Sequence, residues 1–174
     1  MTDSYPAALT VSRKVLRVLI RLNQLMGFLI LSLLVASFVS EDFVFRALGA
    51  GEASERGSLT TGMRAIMVIG ILAVPLAHVV LTRLEAIVDT VRAGDPFLAL
   101  NAERLQTIAW TMLGLELLHM LVGAIAAAVS SEDRPLDIEW NLSITRWLAV
   151  LLCFVLARVF AQGARMRDDL EGTV

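Results

Sequence analysis

Glu116 and His119 are the residues of this chain whose types and spacing first suggest chemistry. They lie in LELLHM, residues 115–120, inside a run that is otherwise apolar. Residues three apart share one face of a helix, so the carboxylate and the imidazole would lie side by side. A Glu-x-x-His element ligates iron in di-iron bundles, where a second copy and further glutamates complete the centre. Glu116 is the only acidic residue in the long apolar runs of this chain, and we therefore expect no metal site.

Other polar residues also fall in apolar runs, at estimated depths within about 9 Å of one another. Ionisable groups inside a membrane are costly, so they normally face other helices and find partners there. We counted about 1.5 Å per residue from the midpoint of each run to estimate depth. The predicted intramembrane polar layer consists of Asn23, Gln24, His78, Glu116, His119 and Arg158. Within it we expect an ion pair between Arg158 and Glu116, although a long arginine near the end of a span can instead reach the headgroups.

The chain has two histidines, His78 and His119, and both fall inside apolar runs. Two histidines can hold a haem between helices, but their estimated depths differ by about 9 Å, which is awkward for two ligands of one iron. Hydrogen bonding across helices is the simpler interpretation. We therefore expect no cofactor, and we keep a haem-binding redox protein as a third hypothesis.

The composition indicates a membrane protein. Hydrophobic residues make up 57% of the 174 residues, and charged residues make up only 18%. This hydrophobic content exceeds that of ordinary soluble domains. The 15 basic and 17 acidic residues give no basic excess, so direct nucleic-acid binding is not expected. The single cysteine, Cys153, excludes a disulfide within the chain and a CxxC motif. Residues 1–14 lack an apolar core, and we expect no cleaved signal peptide.

Four segments are long and apolar enough to span a bilayer, which needs about 20 residues. They are residues 16–39, 64–84 with a polar helical extension to 93, 105–129 and 144–164. The predicted fold is an all-α, single transmembrane domain of residues 1–174, with four helices in a bundle. Ten of the 15 Lys and Arg residues flank the termini and the middle connection, so both termini are expected in the cytoplasm.

The connection between the second and third predicted spans, around RAGDPF at residues 92–97, carries strong signals for a helix end and a helix start. We call this connection the corner. Gly94 can adopt the left-handed conformation that ends a helix, and Pro96 prevents its continuation. Asn101 is a favourable cap for the next helix. The corner is therefore predicted to be a rigid turn, either as a plain helical hairpin or as a docking site for a partner.

Two motifs, RAGDPFLALNAERLQTIAW and ARVFAQGARMRDDLEGTV, resemble the bacterial membrane family known as domain of unknown function 2975. That family has a GDPF-like corner, an NAxRL-type helix start and an ARVFxxGxxLRxDLxGTV-like ending, with leucine where this chain has Met166. The resemblance implies a four-helix protein of the bacterial inner membrane, often encoded near a small helix-turn-helix regulator, with no established catalytic residues. The matching positions are Gly94, Asp95, Pro96, Phe97, Asn101, Arg104, Arg158 and Arg167.

These observations favour a non-enzymatic signalling module that lies in the lipid bilayer. The expected partner is a cytoplasmic protein, such as a small helix-turn-helix regulator, bound by the corner and the C-terminal tail. No Gly-rich phosphate loop, HExxH motif or Ser/His/Asp arrangement supports an enzyme. The alternative is a small transporter or channel-like oligomer that uses the polar layer. Small residues such as Gly123 and Ala127 permit close helix contacts, within one chain or between copies.

Overall fold

A computed structural model describes residues 4–47, 57–129 and 143–171 of the chain. Within these ranges the secondary structure is entirely helical. The helices are α1 (Ser4–Val39), α2 (Glu41–Ala47), α3 (Gly57–Arg92), α4 (Ala99–Val129) and α5 (Ile144–Glu171). The four long helices contain the four predicted spans, and each is long and apolar enough to cross a membrane.

The long helices pack mainly against their neighbours in the chain. The principal contacts join α1 to α3, α3 to α4, and α4 to α5. The two middle helices, α3 and α4, therefore each have two large interfaces, while α1 and α5 each have one. Among the described residues, the first and last long helices, α1 and α5, do not share one of these principal interfaces.

Large apolar side chains cover the outside of the described helices. Phe28 on α1, Leu72 on α3 and Leu152 on α5 are each more than half exposed. Such surfaces are unfavourable in water and are stabilised by lipid, because lipid tails are as apolar as these side chains. The architecture is that of a multi-pass membrane protein.

Small residues occupy the positions where the helices approach most closely. A Cβ atom added to Gly27 would lie 2.9 Å from Cγ1 of Val74, and one added to Gly62 would lie 2.7 Å from Cγ1 of Val129. Ala109 is fully buried. Close approach at small residues is the usual way in which membrane helices gain packing contacts.

The short helix α2 was not predicted. It follows Ser40, whose carbonyl accepts the amide of Val44 at 3.1 Å, and its first turn contains Glu41 and Asp42. Acidic residues there interact favourably with the positive end of the helix. Arg64 of α3 pairs with Glu41 at 3.0 Å and therefore joins α2 to the start of α3.

Arginine pairs also hold the opposite end of the α1–α3 interface. Arg17 Nε lies 2.9 Å from Oε1 of Glu85, and Arg13 Nε lies 3.1 Å from Oδ1 of Asp89. The last turns of α3 thus lie beside the first half of α1, at the same end of the molecule as the corner. We call this the corner end.

Candidate functional site

Backbone hydrogen bonds close the corner between α3 and α4. Gly94 has a φ of 87°, in the region that favours glycine. The amide of Gly94 donates to the carbonyl of Val91, and the amide of Asp95 donates to the carbonyl of Thr90, both at 3.1 Å. These two bonds are the Schellman pattern, which satisfies carbonyls at a helix end. The predicted left-handed glycine is confirmed.

Asn101 is fully buried and joins the two helices of the corner. Its Nδ2 donates to Oγ1 of Thr90 at 2.8 Å and to the carbonyl of Pro96 at 2.9 Å. Its Oδ1 accepts from Nη1 of Arg104 at 2.9 Å, and the same Nη1 donates to the carbonyl of Ala86 at 3.2 Å. A buried amide with this many partners specifies one arrangement of the backbone around it.

The predicted role of Asn101 as the helix cap is wrong. Helix α4 begins at Ala99, so Asn101 lies in its first turn, and its own amide donates to the carbonyl of Leu98 at 2.9 Å. A capping side chain accepts from amides within its own first turn. The Asn101 side chain instead reaches back towards α3, where Thr90 supplies a partner that lies eleven residues earlier.

The C-terminal part of α5 packs against the corner. Arg167 Nη1 pairs with Oδ1 of Asp95. The rings of Phe97 and Phe160 lie with their centroids 5.5 Å apart. A Cβ atom added to Gly163 would lie 3.1 Å from Cδ1 of Phe97, so the glycine allows the ring to lie close to α5.

The corner and the part of α5 from Phe160 to Arg167 therefore form one surface. We call it the corner platform. It brings together the predicted residues Gly94, Asp95, Pro96, Phe97, Asn101, Arg104 and Arg167.

The partner of Glu116 is Arg146, and the predicted pair of Glu116 with Arg158 is wrong. Arg146 Nε lies 3.2 Å from Oε2 of Glu116. The Glu116 side chain is only 6% exposed, whereas that of Arg146 is 41% exposed. The carboxylate is thus the buried member of the pair.

The register between α4 and α5 explains this error. Cys153 Sγ lies 3.7 Å from Sδ of Met112, and the ring of Trp110 meets that of Phe154 edge-on with centroids 5.1 Å apart. If the midpoints of the two predicted spans, residues 105–129 and 144–164, lay at the same depth, Cys153 would instead lie beside Leu118. Because Met112 and Leu118 are six residues apart, α5 lies about 9 Å closer to the corner end than the sequence estimate placed it.

Arg158 lies near the corner end, away from Glu116. It lines a cavity of about 530 Å³ between α4 and α5 together with Glu103 and Gln106. Glu103 is only one turn from the start of α4 at Ala99, and the Arg158 residue is exposed. This position corresponds to the alternative in which Arg158 reaches the headgroup region.

The remaining members of the predicted layer do not form one network. Asn23 Nδ2 donates to the carbonyl of Val74 at 3.0 Å and so belongs to the α1–α3 interface. Gln24 is exposed on α1, and His78 is partly buried on α3, in the turn that follows Pro75. Glu116 belongs instead to the α4–α5 interface. The predicted layer is divided between at least two separate interfaces.

A second cavity, of about 300 Å³, lies beside Glu116. It is lined by Met112, Leu115, Glu116, His119, Arg146, Ala149 and Val150. Two of its polar atoms, Oε1 of Glu116 and Nε2 of His119, are buried and have no hydrogen-bond partner within the described part of the chain. In the same part, no group of three or more His, Cys, Asp or Glu side chains is placed to hold a metal ion.

Sequence reasoning missed Arg146 as a functional residue. It was counted among the basic residues that flank a connection, because the apolar run of α5 begins only two residues earlier, at Ile144. A signal was nevertheless present. Glu116 needed a positive partner, and Arg146 is the other arginine within the segment predicted to form the last span.

The amino-acid sequence matches one known protein family. A family described as "Protein of unknown function (DUF2975)" matches residues 16–174. The chain belongs to this family. No curated protein and no solved structure matches it. The corner platform and the Glu116 cavity of this DUF2975 protein both lie within the matched residues, and so do all four long helices apart from the first turns of α1.

Proposed function

We propose that this protein is a non-enzymatic signalling module of the bacterial inner membrane, which binds a cytoplasmic protein through its corner platform. The observation that carries the proposal is the Asp95–Arg167 pair, because it joins the corner to the end of α5 in one surface. A surface that is already ordered loses less conformational entropy on binding than separate loops do.

The exposed residues of the corner platform have the composition of a protein interface. Phe97, Leu100 and Met166 are 47%, 55% and 62% exposed. Met166 lies one turn after Gly163, which packs against Phe97, and Leu100 follows Phe97 by three residues. The charged residues of the Asp95–Arg167 pair are near neighbours of Phe97 and Met166 in the chain. An apolar centre within a polar rim is typical of specific protein interfaces.

The orientation is part of this proposal. The corner end also carries Lys14, Arg83 and Arg165, in addition to the arginines that form ion pairs there, among them Arg92 with Asp89. An excess of Lys and Arg favours the cytoplasmic side of a membrane. This excess supports a cytoplasmic corner platform, within reach of a soluble regulator.

The proposed partner is a small helix-turn-helix regulator. The support for it is the resemblance described above, since genes of this family often lie near such a regulator. The membrane protein would bind the regulator itself, because its balanced charge does not favour contact with DNA.

The alternative, a transport pathway through a polar layer, has less support. Asn23 bonds to α3, whereas Glu116 pairs with α5, so the two residues do not line a common path. The site at Glu116 is better described as a local cavity.

Binding of the purified regulator to the protein in nanodiscs tests the proposal. Asp95→Arg and Arg167→Asp should each weaken binding by about tenfold, since a loss of about 1.4 kcal/mol corresponds to that factor. The double swap restores the pair and should recover most of the affinity. Arg64→Ala, at the other end of the molecule, is the matched control and should leave binding unchanged. Wild-type protein that does not bind the regulator would refute this partner, and single variants that bind normally would refute the surface.

A further inference from the structure

The cavity beside Glu116 has the features of a built binding site. It lies between α4 and the first turns of α5, and its volume of about 300 Å³ is at the lower end of the range for ligand pockets. It is separate from the corner platform and has no role in the function proposed above.

Two polar atoms in this cavity are left without partners. Glu116 is 6% exposed, and its Oε2 atom lies 3.2 Å from Nε of Arg146. Its Oε1 atom and Nε2 of His119 are buried and make no hydrogen bond to the described residues. Leaving a buried polar group unpaired costs about 1–3 kcal/mol, and more when the group is charged. Both residues line the cavity, so a molecule bound there can satisfy them.

The opposite charges of Glu116 and Arg146 balance each other, so the site favours a neutral ligand. Arg146 already balances the Glu116 carboxylate. A cation or an anion would add a charge without a counter-charge in an apolar environment, which is unfavourable. A metal ion is a poor fit as well, because the described residues contain no third acidic, histidine or cysteine ligand for it.

The remaining wall of the cavity is apolar. It is formed by Met112, Leu115, Ala149 and Val150. We propose that this cavity binds a small neutral amphiphile, with its apolar body against these four side chains and a hydroxyl group that donates to Oε1 of Glu116. Nε2 of His119, which lines the same cavity, is a second group to which this hydroxyl can bond.

Phenol and anisole are suitable probes, because they have similar ring bodies and only phenol carries an O–H donor. The protein is labelled with ¹³C at its methionine methyl groups and placed in nanodiscs. Met112 lines the cavity and reports binding, and its signal is assigned with Met112→Leu. Met26, which is exposed on α1, reports general partition of the probes into the bilayer.

Phenol should shift the Met112 signal to saturation, with an apparent Kd about tenfold below that of anisole. The variant Glu116→Leu with Arg146→Leu removes the acceptor and keeps the site neutral, so its preference for phenol should be lost. Glu103→Gln changes an exposed carboxyl elsewhere on α4 and should leave the preference intact. Ala149→Phe fills the cavity without touching the ion pair and should abolish the saturable shift with both probes.

Several outcomes would overturn the proposal. If neither probe shifts Met112 to saturation in the wild-type chain, the cavity does not bind such ligands. Equal affinity for phenol and anisole would refute the hydrogen bond to Glu116, as would a preference that survives in the double leucine variant. Saturable binding that persists in Ala149→Phe would place the ligand outside this cavity.

Discussion

Glu116 of α4 pairs with Arg146, the third residue of α5, although Arg158 lies in the more apolar part of the same helix. This pair sets a buried carboxylate near the start of α5. It also places Arg158 near the corner end, beside Glu103 and Gln106.

The two arginines of α5 should differ in their contribution to stability. Arg146→Met leaves the buried Glu116 carboxylate without its counter-charge and should lower the free energy of unfolding by about 3 kcal/mol. Arg158→Met should change it by less than about 0.5 kcal/mol, since this residue is exposed. Tryptophan fluorescence during titration with SDS measures both. A larger loss for Arg158→Met would show that the pairing is wrong.

The register of α4 and α5 can be tested with the native cysteine. The chain has one cysteine, Cys153, so each added cysteine has a single partner. Met112→Cys should be joined to Cys153 by a short bis-methanethiosulfonate cross-linker, because Sδ of Met112 lies 3.7 Å from Sγ of Cys153 and a cysteine sulfur at position 112 lies only one bond nearer to its own backbone. Leu118→Cys, which the midpoint estimate would set beside Cys153, should not be joined to it. Mobility on non-reducing gels distinguishes them, and the reverse result would restore the sequence-based register.

Asn101 should be the most sensitive polar residue of the corner. Asn101→Ala removes hydrogen bonds to Thr90, Pro96 and Arg104 from a fully buried site and should cost about 3 kcal/mol of stability. Asn23→Ala removes one bond, to the carbonyl of Val74, and should cost about 1 kcal/mol. The same SDS titration compares them. Equal losses would indicate that the Asn101 network does not hold the corner.

Two glycine-to-alanine substitutions should change the stability of the protein in opposite directions. Gly94→Ala meets no atom within 4 Å, but its φ of 87° should cost about 1–2 kcal/mol. Gly70→Ala lies inside α3, and its Cβ would lie 3.6 Å from Cδ1 of Ile30, an ordinary contact. It should stabilise the protein by about 0.5–1 kcal/mol, because alanine favours a helix more than glycine does. A stabilising Gly94→Ala would contradict the left-handed corner.

The long helices and the end of α3 could be predicted from local sequence signals. The four apolar segments predicted four long helices, because a bilayer needs a fixed length of apolar chain whatever the helices pack against. Gly94 and Pro96 predicted the helix end at the corner, since both act through their own backbone conformation. The family resemblance rested on the same corner and on the C-terminal motif, and the family match is confirmed.

Partners of side chains could not be predicted in the same way. Asn101 was predicted to be a helix cap, whereas its bond to Thr90 depends on how α3 lies against α4. The sequence alone determined the four long helices, the end of α3 at Gly94 and the need of Glu116 for a counter-charge. These follow from local conformation and from the energy of a charge in an apolar medium. Only the tertiary structure decided that Arg146 supplies that charge. Two uniformly apolar helices can pack in several registers, and specific side-chain contacts select one of them.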